Sequence, residues 1–186
     1  MKMPARVLLA AVLALVALPA GTASAGTQSC PGAGAVPTAR TLDDARDATV
    51  CLLNRERTKR GLRALRTNGV LQSSATSYAQ DMVRRTFFAH VSPTGETLTQ
   101  RIKDDTRYLA DARGWEIGEN IAWGTGFLAT PAQIVASWMA SPPHRANILR
   151  AGFREMGLGI ALGAPVAGAS AAAGAATYAN QFGRRG

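Results

Sequence analysis

The chain has little of what most enzymes and nucleic-acid binders rely on. Of its 186 residues only two are histidine and two are cysteine, and aromatics make up 6%. Acids are scarce too, 12 against 21 basic residues, for a formal charge of +9. There is no Gly-x-Ser-x-Gly elbow, no His-Glu-x-x-His and no clear oxyanion-hole loop, which excludes the common serine-hydrolase and zinc-protease signatures. The arginines are scattered through 55–66, 84–113 and 145–154, without a long basic block or interleaved aromatics, and this argues against specific nucleic-acid binding. A basic surface still attracts anionic cell-envelope polymers or lipid headgroups through non-specific charge. No internal repeat marks a second domain. No stretch approaches the roughly 20 apolar residues that span a bilayer, so the protein is not expected to be membrane-spanning.

What is present begins at the N-terminus. Lys2 and Arg6 precede an apolar run from Val7 to Leu18, and Ala23-Ser24-Ala25 has the small-x-small form of a signal-peptidase site. This predicts a signal peptide over 1–25 and a secreted, extracellular protein that starts near Gly26. Loss of Lys2 and Arg6 lowers the charge from +9 to +7 and leaves 161 residues, enough for one domain with its own core. Cys30 follows Thr27-Gln28-Ser29, which lacks the apolar residue a lipid-attachment site needs. Cys30 and Cys51 form an even pair in an oxidising compartment and are expected to be disulfide-bonded, contributing roughly 3 kcal/mol in the chain-entropy model. The bridge would tie a lead segment over 26–40, Gly/Ala/Pro-rich and expected to be flexible, to a domain over 41–186.

Within that domain, Thr41 reads as an N-cap, with Asp43 and Asp44 in the first turn and Gly61 past the end. A second helix is predicted from about Asn68 to Arg85, burying Val70, Leu71, Ala75, Tyr78, Ala79, Met82 and Val83. A third starts at Thr130-Pro131, a cap followed by proline at the first helical position, and ends at Pro142-Pro143. Residues 156–162 and 176–182 read as two strands joined by a small-residue loop over 163–174. Helices followed by a β-hairpin argue an α+β fold with helices packed on an antiparallel sheet.

The two histidines stand in unusual settings: His90 in Phe87-Phe88-Ala89-His90-Val91-Ser92-Pro93, and His144 in Ser141-Pro142-Pro143-His144-Arg145-Ala146-Asn147. Between them Glu119 interrupts an apolar segment. Two imidazoles and a carboxylate can hold a divalent metal or run acid–base chemistry. Each also has a structural role open to it. His90 and His144 can cap turns beside prolines, and Glu119 can accept backbone N–H groups of a turn begun by Gly118. Asn120 is read as a turn-former within a buried amide network. Asn147 and Arg145 are read as anchors of the loop after His144, with Arg145 a candidate ion-pair partner of an acid. Trp138, Trp123, Phe87 and Phe153 are assigned to the core.

Four motifs in order, Phe88 to Gly95, Gly118 to Ala122, Ser137 to Leu149 and Phe153 to Gly159, closely resemble the bacterial branch of the CAP superfamily, that of cysteine-rich secretory, antigen 5 and pathogenesis-related proteins. The resemblance runs from about Cys51 to Gly183. It implies a three-layer α-β-α sandwich with a central antiparallel sheet. It also implies a cleft of two histidines and two acids that binds a divalent metal in some members. His90, Glu119 and His144 match three of those four positions. The place of the second glutamate, three residues after Trp138, is Ser141, which weakens the metal reading but leaves three ligands for an ion such as zinc. Glu155 is the nearest spare acid and is read as pinning the turn into a strand. The function expected is a non-catalytic binding module with a metal, small-molecule or polymeric ligand in this cleft. The alternative is a protease-like hydrolase, with His90 or His144 as base, Glu119 as orienter and Ser141, Ser92 or a metal-bound water as nucleophile.

Overall fold

The computed structural model describes residues 29–104, 107–167 and 174–186; the expected signal peptide lies outside them, as does part of the 163–174 loop. The first helix, α1 (Leu42–Thr58), follows Thr41 as expected, but the Thr41 hydroxyl bonds Thr38 rather than capping the helix. A two-residue strand, β1 (Arg66–Thr67), leads into α2 (Gly69–Arg84). Asn68 caps α2, its side chain accepting from the backbone N–H groups of Val70 and Leu71 at 3.0 and 3.2 Å. Next come α3 (Leu98–Asp104) and β2 (Trp115–Thr125), then a 3₁₀ turn over Gly126–Ala129. In α4 (Pro131–Ala140) Thr130 caps and Pro131 occupies the first turn, as its sequence requires. Pro142-Pro143 does not simply stop that helix: it opens α5 (Pro142–Ile148), because proline's fixed φ suits a first turn where its missing N–H has no partner to lose. The strands β3 (Glu155–Leu162) and β4 (Ala175–Arg185) form the predicted hairpin.

The sheet runs β1-β3-β4-β2, antiparallel except for the short parallel β1–β3 pair. Its two faces bury different layers. Met156, Leu158, Ile160, Tyr178 and Phe182 pack with α1, α4 and α5 through Leu52, Leu53, Ile134, Trp138 and Ile148. The alternate residues Ile121, Ala161 and Ala179 pack on α2 through Ala75, Tyr78, Ala79 and Met82. This is an α-β-α sandwich of the α+β class. Gly157 is required where α2 crosses β3, since a Cβ there would collide with the backbone between Leu71 and Gln72.

The lead segment is held over its described part. Cys30 and Cys51 are bonded, Pro37 is buried, and the Ala33 carbonyl accepts from the Ala132 N–H of α4 at 2.8 Å. Among the aromatics, Trp138 and Phe153 are core residues at 1% exposure each, whereas Trp123 lies 36% exposed near the end of β2 and Phe87 is only half-buried. Val70, placed in the core by its helical spacing, is 42% exposed in the first turn of α2. Among the described residues no helix is long and apolar enough to cross a membrane.

Candidate functional site

β2 carries the centre of the site. It is an edge strand, with Glu119 on the α2–α3 face and its neighbour Asn120 on the opposite face. Glu119 is therefore a strand residue and not the acceptor of a tight turn. Its side chain is 2% exposed, and burying a carboxylate this deeply demands a countercharge. Arg101 supplies it. Nη2 of Arg101 donates to both carboxylate oxygens of Glu119, at 3.0 and 3.2 Å, and to the His90 carbonyl at 3.1 Å, while Nη1 donates to the Glu96 carbonyl at 3.1 Å. The guanidinium also stacks 3.4 Å from the centroid of the Tyr78 ring. Tyr78 donates its hydroxyl proton to the Ala89 carbonyl at 2.6 Å, and burial pushes its pKa up to about 12, so it stays a neutral donor. Arg101 and Tyr78 thus hold both ends of the loop that presents His90.

His90 Nδ1 lies 2.9 Å from Glu119 Oε1. A carboxylate only accepts, so this nitrogen carries the proton and Nε2 is left for a ligand. The His90 side chain remains 53% exposed. His144 belongs to the other layer, on α5, whose backbone is tied to β2 where the His144 carbonyl accepts from Asn120. It is the third residue of α5, and its Nδ1 lies 2.9 Å from the hydroxyl of Ser141 at the helix N-cap. Burial first, and then the nearby His90, hold the His144 imidazole below its ordinary pKa. Each imidazole thus has its Nδ1 committed, His90 to Glu119 and His144 to Ser141, and the charge of His90 is felt at His144.

A buried amide network fixes α5 against β2. Asn120 Nδ2 donates to the His144 carbonyl at 3.0 Å, and Asn147 Nδ2 donates to Asn120 Oδ1 at 2.9 Å and to the Glu119 carbonyl at 3.2 Å. The amide network expected around Asn120 exists, but Asn120 sits in a strand and not a turn. Gly118 makes the approach possible: a Cβ there would lie 2.9 Å from the Phe153 ring and 3.3 Å from Asn147 Oδ1. Arg145 makes no ion pair among the described residues. Ser92, offered as a nucleophile, is 5% exposed and spent on its turn, bonding the Thr94 hydroxyl and the Glu96 N–H. Glu155 lies outside the cleft, bonded by Tyr108 and Asn68 at the start of β3.

The residue that sequence reasoning missed is Arg101, and a signal for it existed. Thr97-Leu98-Thr99-Gln100 is a capping box: the Thr97 N–H donates to the Gln100 side chain at 2.8 Å and the Gln100 N–H to the Thr97 hydroxyl at 3.3 Å. That box starts α3 and aims its first turn, Arg101 included, at the buried acid.

A family model, "Cysteine-rich secretory protein family", matches residues 50–168. The chain belongs to the CAP family. Among its relatives, the Bacillus subtilis protein YkwD is 38% identical over 108 residues, 58% of this chain and 39% of YkwD. The chain therefore spans well under half the length of that relative. The solved structure of an outer surface protein from Borrelia burgdorferi superposes with a TM-score of 0.59 at 19% identity, covering 74% of this chain and 90% of that one. An extracellular protein containing an SCP domain from Bacillus anthracis gives 0.55 at 24% identity, covering 77% and 40%. These two likenesses carry the CAP fold. Among the described residues no group of three or more His, Cys, Asp or Glu side chains is arranged to hold a metal ion.

Proposed function

We propose that this CAP protein is a secreted binding module without turnover, and that His90 and His144 are its contact residues. The observation that carries the reading is the double use of Glu119: Arg101 takes both its oxygens and His90 Nδ1 takes one of them. A carboxylate so engaged orients an imidazole and is poorly placed to act as a free base or to ligate a cation beside a guanidinium. In a divalent-metal complex, with zinc the reference ion, Nε2 of His90 and of His144 would be the ligands, and Glu119 and Ser141 would fix the two rings through Nδ1. The cation would offer a Lewis-acidic point of attachment for an anionic or carbonyl group. The three-ligand set expected from the family motif becomes two ligands and one orienting acid. Export is supported by the family and by the disulfide, and the basic surface favours retention on anionic envelope polymers or lipids.

One contact favours the hydrolase reading: Ser141 Oγ at 2.9 Å from His144 Nδ1, a nucleophile–base distance. Against it, the buried acid serves the other histidine. Two measurements separate the readings. Calorimetric titration with zinc at neutral pH is expected to show one site that disappears in a His90→Ala, His144→Ala double variant and persists, weakened about tenfold or more, in Glu119→Gln. A fluorophosphonate serine probe is expected to leave Ser141 unlabelled. Undiminished zinc binding in the double variant would overturn the assignment of the contact residues. Stoichiometric labelling of Ser141 would overturn the non-catalytic reading.

A further inference from the structure

Arg101 borders a second space. A cavity of about 340 Å³, within the range of about 300–1,000 Å³ usual for small-molecule sites, is walled by Arg101, Ser73, Ser74, Ser77, Asp81 and Arg84. The serines fall on one face of α2, with Ser74 9% exposed and Ser73 and Ser77 at the rim. In a helix a buried serine hydroxyl ordinarily turns back to the carbonyl four residues earlier, as the neighbouring Thr76 does to Gln72 at 2.7 Å. Among the described residues none of these three serines makes any such bond, and the buried Nε–H of Arg101 also lacks an acceptor.

The charges around the cavity are already spent. Asp81 accepts from Arg84 at 2.6 Å and from Arg85 at 3.2 Å, Arg101 is paired with Glu119, and Glu96 has a partner of its own. What remains open to a ligand is three serine hydroxyls, each both donor and acceptor, and the Nε–H of the Arg101 guanidinium. Two acids, Asp81 and Glu96, and two arginines, Arg84 and Arg101, line the cavity, so its wall carries no net formal charge to select an anion or a cation, whereas a ligand bearing several hydroxyl groups can bond the serines and leave the ion pairs intact.

We propose that this cavity is a second binding site, distinct from the histidine cleft, for a neutral polyhydroxylated ligand of the size of a mono- or disaccharide. Arg101 joins the two sites, since the side chain that walls the cavity also bonds the Glu119 carboxylate and the His90 carbonyl. Binding in the cavity should therefore perturb the His90 ring without any ligand contact to it.

The test is an amide-resolved NMR titration of the oxidised, ¹⁵N-labelled protein with glucose, N-acetylglucosamine and trehalose, each to about 100 mM because weak, millimolar affinity is expected of so few contacts. Inorganic phosphate and glycine serve as the charged comparisons. At least one sugar should give saturable shifts at Ser73, Ser74 and Ser77, accompanied by movement of the His90 ring protons. Ser74→Ala, which removes the hydroxyl of the least exposed of the three serines, and Ser77→Leu, which fills the exposed rim, should each weaken binding about tenfold, the factor that goes with one good hydrogen bond. The exposed Ser77→Leu variant keeps the test valid if Ser74→Ala disturbs folding. Shifts with no sugar, saturation by phosphate or glycine instead, or sugar binding unchanged in Ser77→Leu would each overturn the proposal.

Discussion

Replacing Arg101 with methionine tests the electrostatic core of the site. The substitution keeps an unbranched side chain of similar length and deletes the guanidinium. It removes four hydrogen bonds, two to Glu119 and one each to the carbonyls of His90 and Glu96, together with the stack on Tyr78. Their separate energies do not simply add. The largest cost is the stranding of Glu119, whose residue is 6% exposed and would keep only His90 as a partner. Removing one member of a buried ion pair costs about 3–5 kcal/mol. The half-exposed His90 lets some solvent reach the carboxylate, so the lower end applies, about 3 kcal/mol. For a domain of this size each kcal/mol moves the melting temperature by about 2–4 °C, giving a fall of roughly 6–12 °C. Differential scanning calorimetry of Arg101→Met, Glu119→Gln and the double variant at neutral pH measures it. If the penalty is an uncompensated charge, the double variant should melt above Arg101→Met, since the stranded carboxylate is gone. An Arg101→Met protein that melts within about 2 °C of the parent, or a double variant whose losses merely add, would refute the reasoning.

Three further outcomes follow from the same structure. Exported protein should run about two protons lighter than its reduced form, and a Cys30→Ala, Cys51→Ala variant should lose roughly 3 kcal/mol of unfolding free energy in urea; two alkylatable thiols without reduction would contradict the bridge. His144 should titrate by NMR below the ordinary histidine value of about 6.5, because burial and His90 disfavour its charged form. Since its folded pKa lies below its unfolded one, its contribution to stability is complete above about 6.5 and is lost as pH falls through the folded value; a midpoint at or above the ordinary value would exclude this. Gly118→Ala should cost about 1–3 kcal/mol by pushing Phe153 and Asn147 away from β2, and a melt identical to the parent would show that the approach is not tight.

The parts legible in sequence were those whose signals are local. Thr130-Pro131 announced α4, Asn68 announced α2, and the small-residue loop between two apolar runs announced the β3–β4 hairpin. β2 was not legible as a strand from its own residues. Its sequence, Trp-Glu-Ile-Gly-Glu-Asn-Ile-Ala-Trp-Gly-Thr, holds two acids, an asparagine and two glycines, and its middle residues are buried on both faces, so the alternation that marks a half-exposed strand is absent. The cleft residues His90, Glu119 and His144 could be singled out by rarity and motif, but their division of labour could not. That division depends on Arg101, a residue whose identity is unremarkable in an arginine-rich chain and whose meaning comes from a contact 18 positions away.

The segment from Trp138 to Asn147 shows how motif and fold became entangled. An edge strand leaves backbone carbonyls without a neighbouring strand, and burying them unmet is costly. Here side chains take the neighbour's place: Trp138 Nε1 donates to the Ile121 carbonyl at 3.1 Å and Asn147 Nδ2 to the Glu119 carbonyl at 3.2 Å. These two residues sit on α4 and α5, nine positions apart, and Pro142-Pro143 sets the break between the helices that lets both face the same edge. Much of what makes the segment distinctive is therefore explained by closing β2. His144 is carried between those two closures, and its position relative to His90 is only as firm as they are. Loosening the edge, with Asn147→Ala or Trp138→Phe, should change the cleft without touching either imidazole.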